Sequence, residues 1–233
     1  MSWINDFLTS SIGKKLVMSL TGLFLILFLL VHLLGNLQLL YPDGGEAFNI
    51  YAHFMSNNPL IKVISLGLYA GILLHAIQGF LVARSNQLAK GKKYAVSTYE
   101  NGTWMSKNMA LLGTLVLFFL CVHMGDFWVK VRFNEELLEA VTYPGMDYEV
   151  RNLYQRVNIA FQNVWIVIIY MVGLVALSLH LLHGFQSAFT SLGLQHKKYT
   201  PLIKAAGMAF SILIPIGYAI IPLYMFFSHQ ANY

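Results

Sequence analysis

The stretch VWIVIIYMVGLVALSLHLLHGFQSA, residues 164–188, decides the class of fold. It contains no Asp, Glu, Lys or Arg, and it exceeds the roughly 20 apolar residues that a helix needs to cross the hydrocarbon core of a bilayer. Two histidines, His180 and His183, nevertheless lie inside it. Ionisable side chains in a membrane span are costly and typical of functional sites. The stretch therefore predicts a transmembrane helix that carries part of a site.

The rest of the chain has the same apolar character. Of its 233 residues, 57% are hydrophobic and 11% are charged, and the mean hydropathy is +0.60. Soluble domains contain about 25% charged residues, so this composition predicts a membrane protein. The single cysteine, Cys121, leaves no partner for a disulfide or for a cysteine metal site. The apolar run after Lys15 is too long for a signal peptide and has no small-residue cleavage site, so we expect it to be retained.

Five apolar segments are long enough to cross a bilayer, and they are numbered spans I to V in chain order. They lie at about residues 16–40, 61–83, 109–129, 164–188 and 202–227. The longest loop precedes span IV, and its stretches EELLEAV (135–141) and DYEVRNLYQRVNIAFQN (147–163) predict short surface helices. The sequence thus predicts one all-α domain over residues 1–233, an integral membrane bundle of five transmembrane helices without a soluble catalytic module.

The basic residues set the expected orientation. Ten of the 15 Lys and Arg lie on the side of the N-terminus, and five lie on the opposite side with most of the acids. By the positive-inside rule we expect a multi-pass protein of the cytoplasmic (inner) membrane with its N-terminus in the cytoplasm. The pI near 9.2 then reflects topology, and no motif indicates a nucleic-acid partner.

Histidines occur in four of the five spans. Helical rise places His32 and His123 both about 7 Å from the bilayer centre, toward the outside. His75 and His180 lie about 5 and 7 Å toward the cytoplasm, with His183 about 12 Å from the centre near the interface. Depth therefore predicts two pairs, an outer pair from spans I and III and an inner pair from spans II and IV.

Two imidazoles on facing helices at one depth are the ligand set of a bis-histidine haem. Zinc or copper favours ligands clustered at one depth, and no span carries a carboxylate at its middle, which disfavours an ion pump. Glycines within one turn of three of these histidines permit close approach: Gly35, Gly71, Gly79 and Gly184. Since no CxxCH motif is present, the sequence predicts two b-type haems. His183 either binds a haem propionate or is an interfacial histidine satisfied by backbone or water.

Four motifs resemble the cytochrome b membrane anchor of succinate dehydrogenases and fumarate reductases, in its single-chain, five-helix, two-haem class. They are HLLGNL (32–37), LLHAIQGF (73–80), VHMGDF (122–127) and HLLHGFQSAFTSLG (180–193), and GKKLVMSLTGL (13–23) adds to the likeness. The resemblance covers nearly the whole chain. It implies that the axial haem ligands are His32, His75, His123 and His180. In span IV of this family the ligand precedes a glycine by four residues, which favours His180 over His183 because Gly184 follows His180 at that spacing.

The resemblance also implies partners. A flavoprotein that oxidises succinate and an iron–sulfur subunit are expected on the cytoplasmic side, and a membrane quinone, expected to be menaquinone, exchanges electrons with the anchor. The anchor itself binds no dicarboxylate, so this chain is expected to be one subunit of an oxidoreductase complex (complex II of the tricarboxylic acid cycle). The basic residues Lys90, Lys92, Lys93, Lys197 and Lys198 either dock an acidic subunit or reflect topology alone.

The expected quinone site is less well marked. Glu46 and Asp126, and with them Asp43 and His53, are candidates for handling quinone protons near the outer pair, although each is also typical of a solvated loop. Two alternative functions remain at this stage. One is the di-haem anchor of a hydrogenase or nitrate reductase, which changes the soluble partner. The other is a haem-free transporter or structural anchor.

Overall fold

The computed structural model describes residues 3, 6, 7, 10–89, 103–134 and 138–230. Of the basic loop residues, Lys90, Lys92 and Lys93 lie outside this part of the chain. The described elements, in chain order, are α1 (Ser11–Asn36) with a 3-10 extension (Leu37–Leu40), α2 (Glu46–Asn57), α3 (Pro59–Ala89), α4 (Trp104–Lys107), α5 (Met109–His123), a π-helical segment (Met124–Val129), α6 (Lys130–Phe133), β1 (Ala140–Val141), β2 (Val150–Arg151), α7 (Leu153–Phe161), α8 (Val164–Ser191) and α9 (Thr200–Gln230).

Within the described residues, five helices are long and apolar enough to cross a membrane. They run over Ile12–Leu40, Pro59–Leu88, Met109–Phe133, Val164–Ser191 and Thr200–His229, and they correspond to spans I to V. The prediction of an all-α, multi-pass membrane protein is confirmed, with each helix reaching as far as its predicted span or beyond it. Helices suit this environment because all their backbone hydrogen bonds are made within one segment. Span V keeps its helix through Pro215 and Pro222, as transmembrane helices commonly do.

The chain forms two compact units. Unit 1 comprises Met1–Phe28, Gly67–Leu115 and Ala176–Ile212, and unit 2 comprises Leu29–Leu66, Val116–Val175 and Leu213–Tyr233. All five spans therefore contribute residues to both units. His75 and His180 belong to unit 1, whereas His32 and His123 belong to unit 2.

Unit 1 is held together by close helix contacts and by serine hydroxyls. Gly207 of span V lies against the ring of Phe185 in span IV, so near that a Cβ at this position would lie 2.6 Å from Phe185 Cδ1. Small residues permit such approach between transmembrane helices. Beside this contact, the Ser178 hydroxyl donates to the Ser211 carbonyl at 2.7 Å. This hydrogen bond joins spans IV and V directly.

Unit 2 has the main apolar core. The buried cluster combines residues from the spans with residues from the connecting helices α2 and α7: Leu39, Phe48, Val157, Phe161, Val167, Tyr170, Ile221 and Met225. Helix α2 carries the fully buried Asn49, which is 1% exposed. Its Nδ2 donates to the Tyr143 hydroxyl at 2.7 Å and to Asn152 Oδ1 at 3.1 Å, and its Oδ1 accepts from the Tyr154 backbone N–H at 2.9 Å. Through these three hydrogen bonds, Asn49 connects α2 to the loop before span IV.

The loop before span IV differs in part from the prediction. Within 147–163 the expected helix is present only from Leu153, as α7, because Val150–Arg151 form strand β2. The residues expected to form a helix over 135–141 end in strand β1, and Glu135 and Glu136 lie outside the described residues. β1 pairs antiparallel with β2 in the register Ala140↔Arg151 and Val141↔Val150. Gly145, with φ +84°, lies in the turn between them. A seven-residue helix without packing is marginal, whereas a turn that reverses the chain lets two strands pair.

We predict that Asn49→Ala destabilises the protein markedly. The variant removes the acceptor of the buried Tyr154 N–H and the donor to Asn152, and each unsatisfied buried group costs about 1–3 kcal/mol. The matched control is Asn57→Ala on the same helix, because Asn57 is exposed and donates to the His53 carbonyl one turn away. Thermal unfolding in detergent should show a clearly lower midpoint for Asn49→Ala than for Asn57→Ala. Equal midpoints would contradict the role of Asn49.

Candidate functional site

The inner histidine pair lies in unit 1. The ring centroids of His75 and His180 are 6.2 Å apart, with 67° between the ring planes. Each ring also faces a glycine of a neighbouring span. A Cβ at Gly22 in span I would lie 3.3 Å from His75 Cε1, and a Cβ at Gly113 in span III would lie 3.7 Å from His180 Cε1. The two glycines therefore leave room for the imidazoles between the helices.

The outer pair lies in unit 2. The ring centroids of His32 and His123 are 5.8 Å apart, with 87° between the planes. Aromatic rings surround this pair: Tyr218 lies 5.9 Å from His32, and Phe119 and Phe127 lie 5.9 and 5.4 Å from His123. The structure thus brings together the same two pairs that the helix depths predicted. The role of these residues as haem ligands stays a prediction.

The spacing within each pair fits a shared metal ion. Two imidazoles that bind one ion from opposite sides, each at a nitrogen–metal distance of about 2.0–2.1 Å, have ring centroids about 6 Å apart. The observed separations of 5.8 and 6.2 Å match this value. Among the described residues, no group of three or more His, Cys, Asp or Glu is arranged to hold a metal ion. Two-ligand sites of this kind suit an ion whose remaining ligands come from a planar macrocycle.

In two of these histidines, His75 and His123, a hydroxyl lies within hydrogen-bond distance of Nδ1. Thr21 Oγ1 lies 3.2 Å from His75 Nδ1, and the Tyr170 hydroxyl lies 3.1 Å from His123 Nδ1. Metal-binding histidines usually have such a partner at the nitrogen that does not bind the metal, because it fixes the tautomer and the ring orientation. In His75 and His123 the contacts at Nδ1 therefore point to Nε2 as the metal-binding atom.

His180 shows the strongest sign of a missing partner. Its Nδ1 is buried and makes no hydrogen bond in the structure. Buried polar side-chain atoms in folded proteins are nearly always satisfied by protein, water or ligand, since an unsatisfied one costs free energy. This imidazole can therefore bind a group that the described part of the chain does not supply. His183, one turn further along span IV, is only half-buried.

Asp126 lies in the π-helical segment directly after His123, and two cations bind it. Lys130 Nζ and an Arg156 terminal nitrogen lie 2.7 and 3.2 Å from Asp126 Oδ1, and Arg156 Nε donates to the Asp126 carbonyl at 3.1 Å. Because Arg156 lies in α7, these contacts connect the π-helical segment to the loop before span IV. Such π-helical turns are frequent at functional sites. Asp126 is a partly buried ion-pair residue, and its role with quinone stays a prediction.

The other acidic candidates lie at the start of α2. Glu46 is partly exposed in the first turn of this helix, where its charge suits the helix dipole. Asp43 caps the same helix, since its two oxygens accept the backbone N–H groups of Gly45 and Ala47 at 2.9 Å each. Burial raises the pKa of the Tyr154 hydroxyl nearby, and the charge of Asp43 adds to the shift. Asp43 is therefore mainly a structural residue.

His53 lies apart from both histidine pairs, on the exposed part of α2. It lines an open cavity of about 560 Å³ together with Tyr51, Phe54, Asn57 and Tyr148, and its ring lies 5.1 Å from that of Tyr148. Burial raises the pKa of the Tyr51 hydroxyl.

Sequence reasoning missed the residues that support the histidines. Gly71 and Gly79, expected to make room beside His75, instead face Phe24 and Met18. The glycines that face the imidazoles belong to neighbouring helices, and Thr21 and Tyr170 were not singled out at all. One signal was available: GKKLVMSLTGL places Thr21 and Gly22 side by side in the half of span I on the side of the N-terminus, the side on which the inner pair is expected.

Comparison with protein-family models, with curated proteins and with solved structures finds no match to this chain. The function proposed below therefore rests on the sequence motifs and on the geometry of the two histidine pairs.

Proposed function

We propose that this chain is the cytochrome b membrane anchor of a succinate:quinone oxidoreductase. In this proposal it holds two b haems and carries electrons between an iron–sulfur subunit and a membrane quinone. The observation that carries the proposal is the pairing of histidines from different spans, once in each unit, at centroid separations of 5.8 and 6.2 Å. A transporter or a haem-free anchor gives no reason for two such pairs in an apolar bundle, because each buried imidazole is costly.

The chain's own residues supply binding and orientation. His75 and His180 would hold one haem, and His32 and His123 would hold the other. A haem in such a site supplies reversible one-electron transfer at its iron, while the protein tunes the potential through the ligands and their hydrogen bonds. Thr21 and Tyr170 hold their histidines at Nδ1, which fixes the rings before any ligand binds. The apolar side chains of the spans keep water out.

The sequence motifs support the choice of partners. Two motifs, HLLHGFQSAFTSLG in span IV and GKK at 13–15, resemble the membrane anchors of succinate dehydrogenases and fumarate reductases. They resemble the di-haem anchors of hydrogenases or nitrate reductases less. We therefore place a flavoprotein and an iron–sulfur subunit on the side of the N-terminus. The excess of Lys and Arg on that side supports a cytoplasmic location in the inner membrane.

The quinone, expected to be menaquinone, would be handled near the outer pair. Its two acidic candidates, Asp126 and Glu46, differ in how free their carboxyl groups are to carry a proton. Asp126 already binds Lys130 and Arg156, so moving a proton there would disturb an ion-pair network. Glu46 is partly exposed at the start of α2 and is the better candidate. His183 is half-buried one turn from His180 and is proposed to bind a propionate group.

Succinate should reduce haem in membranes that contain this chain. We expect succinate to produce the reduced b-type absorption bands, because the proposed partners deliver electrons from that substrate. Hydrogen gas as donor and nitrate as acceptor serve as comparisons under the same conditions. Reduction by hydrogen but not by succinate, or reoxidation by nitrate alone, would contradict the choice of partners and favour the anchor of a hydrogenase or nitrate reductase.

Substitutions in span IV should separate ligand from neighbour. His180→Ala should lose one of two haems per chain, because His75 then lacks its partner at 6.2 Å. His183→Ala should keep both haems and change at most a reduction potential. His32→Ala should remove the other haem and leave the His75–His180 haem in place. The measurement is haem per chain in the purified variants. Loss of haem in His183→Ala with retention in His180→Ala would reverse the assignment.

A further inference from the structure

We propose that Tyr170 is a positioning residue for His123: its hydroxyl accepts a hydrogen bond from His123 Nδ1 and so lowers the reduction potential of the haem in unit 2. This inference rests on the proposed function, since it concerns a haem that His32 and His123 hold. It assigns a role to a buried tyrosine in the first two turns of span IV, for which packing alone gives no reason.

Packing holds Tyr170 rigidly. Its side chain is 5% exposed, and the Phe119 and Phe161 rings lie edge-on at 5.0 Å from it, with Phe127 at 6.4 Å. The hydroxyl lies 3.1 Å from His123 Nδ1, within hydrogen-bond distance. A phenylalanine would fill this space as well, so the hydroxyl has to serve a polar purpose.

The direction of the hydrogen bond follows from the tautomer. A neutral imidazole has one N–H and one acceptor nitrogen. If His123 binds iron through Nε2, the hydrogen stays on Nδ1, and the Tyr170 oxygen is the acceptor. A ligand whose N–H donates to a partner is a stronger base, and it stabilises the ferric state relative to the ferrous state. Tyr170 should therefore lower the potential of this haem.

At the partner histidine, His32, the group beside Nδ1 is an amide and not a hydroxyl. Asn36 Nδ2 lies 3.3 Å from His32 Nδ1, but it is a donor group, and it also donates to the His32 carbonyl at 2.7 Å. An amide nitrogen cannot accept the Nδ1 hydrogen, so Asn36 does not act as Tyr170 does. At His123, the Tyr170 hydroxyl is a contact that favours an Nδ1–H tautomer.

The test is Tyr170→Phe with Tyr218→Phe as the matched control. Tyr218 lies 5.9 Å from His32, but its hydroxyl donates to the Leu29 carbonyl at 2.7 Å. Both variants lose one buried hydroxyl near the same pair, and only Tyr170→Phe loses a contact with an imidazole. A further variant, Thr21→Val, removes the hydroxyl beside His75 and should affect the haem of unit 1 instead.

The readouts are a potentiometric titration of each haem and the electron paramagnetic resonance spectrum of the ferric protein. In Tyr170→Phe the ratio of ferric to ferrous haem in unit 2 should fall about tenfold at a fixed ambient potential, which equals about 59 mV upward for a one-electron couple. The electron paramagnetic resonance spectrum of that ferric haem should change together with its potential. Tyr218→Phe should leave potential and spectrum unchanged. Tyr170→Met, which fills the space without a hydroxyl, replaces the phenylalanine variant if that protein does not accumulate.

The outcomes separate this inference from the proposed function. Two haems in the wild-type protein with an unshifted potential in Tyr170→Phe would overturn the role of Tyr170 alone. An equal shift in Tyr218→Phe would also overturn it, because any lost hydroxyl would then have the same effect. A wild-type protein that binds no haem would overturn the proposed function and this inference together.

Discussion

An imidazole in an apolar span must be satisfied by groups that the protein carries or binds, because hydrocarbon offers no hydrogen bonds. This constraint governs the arrangement of spans I to IV. In each unit, two spans bring one histidine each to a ring separation near 6 Å. At His75 and His123 the chain supplies a hydroxyl at Nδ1, from Thr21 and from Tyr170, and at His32 it supplies the Asn36 amide. At His180 the buried Nδ1 makes no hydrogen bond to the described part of the chain.

The surrounding packing serves the same constraint. Gly22 and Gly113 leave space where the inner imidazoles lie against neighbouring helices, and the rings of Phe119, Phe127 and Tyr170 enclose His123. The ion pairs of Asp126 with Lys130 and Arg156 fasten the π-helical turn that follows His123. Such pairs contribute little to stability when exposed, so a partly buried network at this position indicates a need for a fixed turn. Each unit thus has a rigid pair of imidazoles within an apolar environment.

The sequence was sufficient for the spans and for the pairing of the histidines. Both depend on local quantities: the length of apolar runs and the rise per residue along a helix. The supporting contacts depend on which faces of the helices meet, and helical periodicity alone does not determine that. Thr21 and His75 are 54 positions apart, and His123 and Tyr170 are 47 apart. The hairpin of β1 and β2 escaped prediction for a related reason, since its strands are stabilised by each other and not by their own composition.

The central claim is that the two histidine pairs bind two haems, and a pyridine haemochrome assay of the purified chain tests it most directly. Combined with a protein determination and a reduced-minus-oxidised spectrum, the assay counts haem per chain and identifies its type. The pairs in units 1 and 2 predict two b-type haems per chain, with no covalent attachment because the chain has no CxxCH motif. A value of one or none in protein purified from haem-sufficient cells would contradict the account.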